Sequence, residues 1–366
     1  MKMSGVYVPD RRIILVAGPC AAETPEQTLG MAYRVSLVRD AVRPFGIDMM
    51  YRAGAWKPRT QCYNDHNGEG VFEGKREEGL GWLNEAGNSW KLPIVTECMS
   101  EQDVRHFGRG RYITPDRGDW IQVGARNSQN YALLYAIGST DLGVLLKNPQ
   151  HGVDPKEAVG SLQRLCDPTR GNNPTRVYCV RGQKKFIDPD GEGNGEYAEL
   201  MARIMGRDTQ HPDARNFNNI GAINALRRES YFTRDGMLLG YDPSHAFGGN
   251  NDAVRRRIGD SAIEAVTEYG YDVVELEVHD WSASALVDGD QALLTTTRNV
   301  DWSQTNAGQG PGVKPNAGRE PDVMPLTLVD IAGSLIDYQA DRMGIGADDS
   351  RIVAAKGSLA ELRWDM

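Results

Sequence analysis

Six cations stand where the chain leaves short apolar runs. Arg52, Lys57 and Arg59 fall in RAGAWKPRT, Arg126 in QVGARNSQN, Lys147 in VLLKNP and Arg181 in VYCVRG. Taken singly, each is an ordinary surface residue whose stem snorkels from the end of an element. Six in equivalent places point instead to a shared cleft. Arg offers a planar fork for phosphate or carboxylate and Lys a compact point charge, so the ligands that fit are polyanions. A second set is Cys20 in VAGPC, His245 in YDPSH, Glu277 in ELEVH and Asp288 in LVDGDQ. Each has a mundane reading: a small buried thiol, an imidazole bonded to a carbonyl, a turn carboxylate. As a group they make a mixed-ligand site for a divalent transition metal. Thiolate with imidazole disfavours Mg and Ca, and an open position would permit Lewis-acid catalysis.

The elements that must gather these residues are legible as alternation. Apolar runs occur at Ile13–Ala17, Met49–Gly54, Leu92–Thr96, Asp119–Val123, Leu142–Lys147, Arg176–Arg181, Met237–Tyr241 and Asp272–Val278. Each is followed by a helix-like stretch, and Leu326–Tyr338 reads as the closing helix. Strands alternating with helices imply a parallel sheet, and eight units favour closure into a (β/α)8 TIM barrel. The alternative is an open doubly wound sheet, which periodicity does not exclude. In a closed barrel strands one, seven and eight are contiguous, so the four candidate ligands would meet at the mouth that also collects the six cations. We expect one barrel domain over 1–343, with insertions near 61–71 and 292–324 and a tail at 344–366. Both insertions follow strand C-termini, where barrel active sites lie, so each is either a tolerated surface loop or a lid or subunit contact.

Composition narrows the function classes. The 366 residues carry a net charge of −9, which disfavours a general nucleic-acid binder. No apolar run reaches the roughly 20 residues of a membrane span, and the first residues, MKMSGVYVPDRR, lack the apolar segment of a signal peptide. Five cysteines without a CxxC pair fit a reducing cytoplasm better than a disulfide framework.

The motifs resemble those of 3-deoxy-D-arabino-heptulosonate 7-phosphate (DAHP) synthases, in the branch related to 3-deoxy-D-manno-octulosonate 8-phosphate synthases. The matching stretches are AGPCAAET, RAGAWKPRT, VTECMSEQDV, DWIQVGARNSQN, VLLKNP, DPSHAFGG and ELEVHDWSASALVDGDQ, in that order from about residue 13 to 343. The resemblance implies a (β/α)8 barrel that condenses phosphoenolpyruvate with erythrose 4-phosphate, the first step of the shikimate pathway to aromatic amino acids. It implies that Arg126, Lys147 and Arg181 hold the phosphoenolpyruvate phosphate, and that Arg52 and Lys57 help bind its carboxylate and phosphate. Arg59 and Thr60 would bind the aldose phosphate. Cys20, His245, Glu277 and Asp288 would hold Mn, Fe, Co or Zn. Glu97 would sit near the reacting centre and manage water or protons, with Lys57, Lys147 and His245 as the other catalytic groups. Family members usually assemble as dimers or tetramers. The KPRT segment and the metal cysteine favour the four-carbon aldose.

Three features depart from the family. The stretch 61–71 lengthens the loop after KPRT and bears on the aldose. The exit from strand six, RGQKKFIDPDGEGNGEYAEL, is unusual. Glu275 shares a strand face with Glu277 by period two. Facing inward it would be an extra buried carboxylate paired with a base; a local bulge would turn it outward. Two other functions compete with the leading one: a paralogue that uses a different aldose phosphate, and an inactive barrel that serves as a binding protein. No segment beyond the barrel reads as a regulatory unit, so we expect insensitivity to aromatic amino acids. Clear inhibition of the purified chain by Phe, Tyr or Trp in a steady-state assay would refute that expectation.

Overall fold

The computed structural model describes residues 12–57, 72–107, 110–151, 155–165, 175–184, 216–233, 237–247, 252–279, 292–293, 299–301, 312–314 and 327–364. Eight strands close a parallel barrel in chain order: β1 (Ile13–Gly18), β2 (Ile47–Arg52), β3 (Ile94–Glu97), β4 (Trp120–Val123), β5 (Gly143–Lys147), β6 (Arg176–Arg181), β7 (Met237–Asp242) and β8 (Val273–Glu277). Closure comes from β1 pairing with β8, with Gly18 opposite Glu277. The expected (β/α)8 barrel is therefore the observed fold, and the open sheet is excluded.

The strands read as continuous apolar runs because both faces are buried. Alternate residues divide between two cores. One face of the sheet supplies Val16, Met50, Val95, Trp120, Leu145, Val177, Cys179 and Val273, which fill the barrel. The other supplies Ile13, Leu15, Ile47, Met49, Ile121, Val144 and Leu276, which pack under the helices. Trp120 spans the interior near the strand N-termini. The space it needs is left by Gly143, its register partner on β5, where a Cβ would overlap the indole.

The helical layer comprises α1 (Pro25–Val42), α2 (Arg76–Trp90), α3 (Glu101–Phe107), α4 (Tyr131–Gly138), α5 (Pro155–Arg164), α6 (Ile223–Leu226), α7 (Asp252–Thr267), α8 (Leu328–Arg342) and α9 (Ser350–Trp364). Local chemistry sets their starts. Thr24 is extended and its side chain accepts from the Gln27 N–H, with Pro25 leading α1. Met31, Val35, Val38 and Val42 then recur at steps of three and four, which puts one stripe of α1 against the sheet. Thr327 and Asp330 form a reciprocal capping box at the start of α8.

Two regions carry secondary structure that the sequence reading did not assign. The stretch after Met343, expected as a tail, contains α9, which packs on α1 and α8. Ile352, Ala355 and Leu359 are its buried stripe, so the signal was present but short. Within the expected insertion 292–324, Asn299–Asp301 and Gly312–Lys314 pair as an antiparallel ribbon. The insertion at 61–71 lies outside the described residues. Replacing Gly143 with Ala should cost about 1–3 kcal/mol through overpacking against Trp120, read as a lowered midpoint in urea denaturation.

Candidate active site

Parallel pairing brings eight strand C-termini to one rim. The last inward side chains there belong to Arg52, Glu97, Gln122, Lys147, Arg181, Asp242 and Glu277. Beyond the strands, β1 and β2 stay together through the Gly54 N–H donating to the Cys20 carbonyl at 3.2 Å and the Ala22 N–H to the Gly54 carbonyl at 3.0 Å. That extension holds Cys20, which is buried, on the rim beside the end of β2. Glu97 lies across Gly124, where a Cβ would overlap its carboxylate. A residue larger than glycine there would push Glu97 from the mouth.

The centre is a continuous chain of alternating charge. Arg52 Nη1 donates to Glu275 Oε1 at 2.8 Å. The same carboxylate oxygen lies 2.9 Å from Lys147 Nζ. Lys147 Nζ also donates to Asp242 Oδ2 at 2.8 Å, and that oxygen is 2.8 Å from His245 Nδ1. His245 Nε2 is 3.6 Å from Glu277 Oε2. Glu275 is fully buried, and the side chains of Arg52, Lys147, Asp242 and Glu277 are at most 4% exposed.

The chain explains its own protonation. Burial works to lower the pKa of Arg52, but Glu275 and then Glu277, Cys20 and Asp242 outweigh it, and the net shift is upward. Burial likewise opposes the charge on Lys147, and Asp242 and Glu275 overcome it. Burial pushes Asp242 up, yet His245, Lys147 and Arg181 hold its carboxyl well below the usual range. Burial, reinforced by Glu275 and Asp242, drives the Cys179 thiol well upward, so it stays protonated; its sulfur lies 3.9 Å from Glu275 Oε2.

His245 is fixed locally by DPSH. Asp242 Oδ1 accepts its backbone N–H at 3.1 Å while the carboxylate also accepts from Nδ1. With the proton on Nδ1, Nε2 presents a lone pair toward the Glu277 carboxylate. An imidazole lone pair and a carboxylate 3.6 Å apart are reconciled by a cation between them or by a second proton on the ring. Metal–ligand bonds of about 2.0–2.2 Å in tetrahedral array put ligand atoms roughly 3.4 Å apart, so the spacing suits a shared ion. The Ser244 hydroxyl accepts the Glu277 backbone N–H at 2.9 Å and pins that strand end. Among the described residues no three His, Cys, Asp or Glu side chains close on one point.

Of the sequence candidates, Arg52, Lys147, His245 and Glu277 belong to the charge chain. Arg181 adjoins Asp242 electrostatically, and its backbone is clamped by Asn148, whose Oδ1 accepts the Arg181 N–H at 2.7 Å. Glu97 and Cys20 lie on the same rim. Lys57 is half-buried, its N–H held by the Glu73 carbonyl at 2.8 Å, and Arg126 is exposed in the turn after β4. Arg59, Thr60 and Asp288 lie outside the described residues. The sequence reading missed Asp242 and Asn148. Period two along β7 marks Asp242 as inward, and that was the available signal. Glu275 faces inward, and its partners are Arg52 and Lys147.

The family model of the DAHP synthetase I family matches residues 6–307. This chain belongs to that family. It is 30% identical over 291 residues to a phospho-2-dehydro-3-deoxyheptonate aldolase of Thermotoga maritima, covering 80% of this chain and 68% of the relative. A 2-dehydro-3-deoxyphosphooctonate aldolase of Geobacter sulfurreducens is more distant, at 22% over 287 residues, 76% of this chain and 86% of the relative. The crystal structure of a Thermotoga maritima DAHP synthase superposes with a TM-score of 0.58 at 25% identity, covering 92% of this chain and 71% of that one.

Asp242→Asn should cost on the order of 3–5 kcal/mol, because Lys147 loses a buried partner. Much of that cost should vanish in the D242N/K147M double variant, a coupling that a double-mutant cycle in urea would measure.

Proposed function

We propose that this chain condenses phosphoenolpyruvate with erythrose 4-phosphate to give 3-deoxy-D-arabino-heptulosonate 7-phosphate and inorganic phosphate. The single observation that carries the reading is the buried Arg52–Lys147 pair on the rim of a barrel belonging to the DAHP synthetase I family. Two phosphorylated anions repel each other in water. A cationic cleft in an acidic protein offsets that repulsion and brings them to reacting distance.

The shared rim and the family resemblance support the following roles. Lys147 and Arg181, with Arg126 at the edge, hold the phosphoenolpyruvate phosphate, and Arg52 and Lys57 orient its carboxylate. Arg59 and Thr60 take the aldose phosphate. C3 of phosphoenolpyruvate attacks the aldehyde carbon, and the aldehyde oxygen takes a proton. Water adds to the electron-poor C2, and the C2–O bond then breaks to release phosphate. Glu97, on the same rim, would take the proton from that water. Cys20, His245, Glu277 and Asp288 would hold a divalent transition metal. When bound, the ion supplies Lewis-acid polarisation of the aldehyde. Asp242 keeps the His245 proton on Nδ1, so Nε2 remains a donor atom.

No helix among the described residues is long and apolar enough to cross a membrane. We infer a cytoplasmic homo-oligomer. The Geobacter sulfurreducens relative favours a second reading, in which a five-carbon aldose phosphate replaces erythrose 4-phosphate.

The test is steady-state phosphate release by the purified chain with Mn, phosphoenolpyruvate and either aldose phosphate. We expect erythrose 4-phosphate to be favoured at least tenfold in kcat/KM; preference for the five-carbon substrate would transfer the assignment to the second reading. Chelation should abolish turnover, and Cys20→Ala should not recover when Mn is restored. Full activity in chelated buffer would refute metal dependence.

A further inference from the structure

Glu275 is the one member of the charge chain for which the proposed reaction has no use. It lies one inward layer below the rim, two residues before Glu277 on β8. Apart from the Cys179 thiol, 3.9 Å from Oε2, the neighbours beside it are apolar: Val16, its register partner, and Val273 belong to the barrel's interior cluster with Leu145 and Val177. A carboxylate is costly to bury there, and it is retained because Arg52 and Lys147 close on Oε1 at 2.8 and 2.9 Å. Those cations reach it from the ends of β2 and β5, and substrate would reach them from the opposite, solvent side. Lys147 spends a second contact on Asp242 at 2.8 Å. The charges of Arg52, Lys147, Asp242 and Glu275 therefore sum to zero before any ligand arrives.

We propose that Glu275 is a positioning residue that sets the affinity of the site for phosphate-bearing ligands. It acts as a fixed internal anion, holding Arg52 and Lys147 together when the mouth is empty and weakening their grip on an incoming phosphate. This rests on the reading of Arg52 and Lys147 as substrate cations. The physical reason is direct. An anion entering the rim gains the attraction of both cations but also meets the repulsion of a carboxylate buried behind them, where water screens it little. A site without that carboxylate would carry one more positive charge. It would hold its first substrate more tightly and release inorganic phosphate more slowly.

The experiment compares the metal-loaded wild type with Glu275→Gln in phosphate-free buffer. Calorimetric titration with phosphoenolpyruvate and with inorganic phosphate should show at least tenfold tighter binding of both by the variant. Its melting midpoint should start below that of the wild type and rise further than the wild type's for each addition of phosphate. In turnover, KM for phosphoenolpyruvate and kcat should both fall, with stronger inhibition by phosphate. A purely structural carboxylate would lower the midpoint and leave the phosphate-dependent rise unchanged. Equal or weaker binding by the variant, with binding by the wild type intact, overturns the inference and leaves the enzyme assignment standing. If the wild type binds neither ligand, the substrate reading fails and this inference falls with it. Should the Gln side chain prevent folding, Glu275→Met, similar in volume and without an amide to satisfy, carries the same expectations.

Discussion

The site depends on one constraint: charges placed inside a barrel must be neutralised by one another. Apart from Glu275, the interior of β1–β8 around Val16, Leu145 and Val177 is apolar. Any ionised group in or above that layer needs a partner within reach. The solution is a sequence of contacts from Arg52 through Glu275, Lys147 and Asp242 to His245, each at 2.8–2.9 Å. Exchanging any member removes a charged partner from a neighbour inside a low-dielectric wall. The chain therefore fixes side-chain geometry at the mouth more firmly than packing alone would. It also couples the proposed substrate cations to the candidate metal ligands, because Asp242 serves both Lys147 and His245.

Position in the barrel accounts for why each residue type is where it is. Cations occupy the final inward places of β2, β5 and β6, so their heads reach the mouth while their stems line the wall. Carboxylates occupy the final inward places of β7 and β8 and the place below on β8. Arg52 and Lys147 reach the carboxylates of β7 and β8 past intervening strands, while Arg181 and Asp242 face each other on paired strands. Glu97 completes the ring from β3 over the gap left by Gly124.

Much of this was legible in the sequence, and the limits have physical causes. Eight apolar runs alternating with helical stretches specify the barrel, because parallel strands buried on both faces have no other easy composition. The rim residues Arg52, Lys147, Arg181 and Glu277 were identifiable because strand ends are marked by a change from apolar to charged. Asp242 was hidden inside DPSH, where an aspartate before proline reads as a turn residue rather than as the last inward position of β7. Glu275 was recognised as a candidate inward carboxylate, but its partners depended on which strands lie across the barrel, and a sequence carries no such distances. Helix α9 escaped because its apolar stripe of Ile352, Ala355 and Leu359 is brief and interrupted by Lys356 and Gly357.

The seam between β1 and β8 has a consequence for how the protein comes to exist. Gly18 finds Glu277 only after nearly the whole barrel has left the ribosome. At roughly 5–20 residues per second, the edge of β1 waits on the order of tens of seconds for its partner. During that interval its backbone groups on one side are an open template for strand addition. Helix α9, which packs against α1 beside that seam, emerges later still. The cylinder is thus sealed only once its last strand is available, and until then β1 keeps an unpaired edge that invites strand addition.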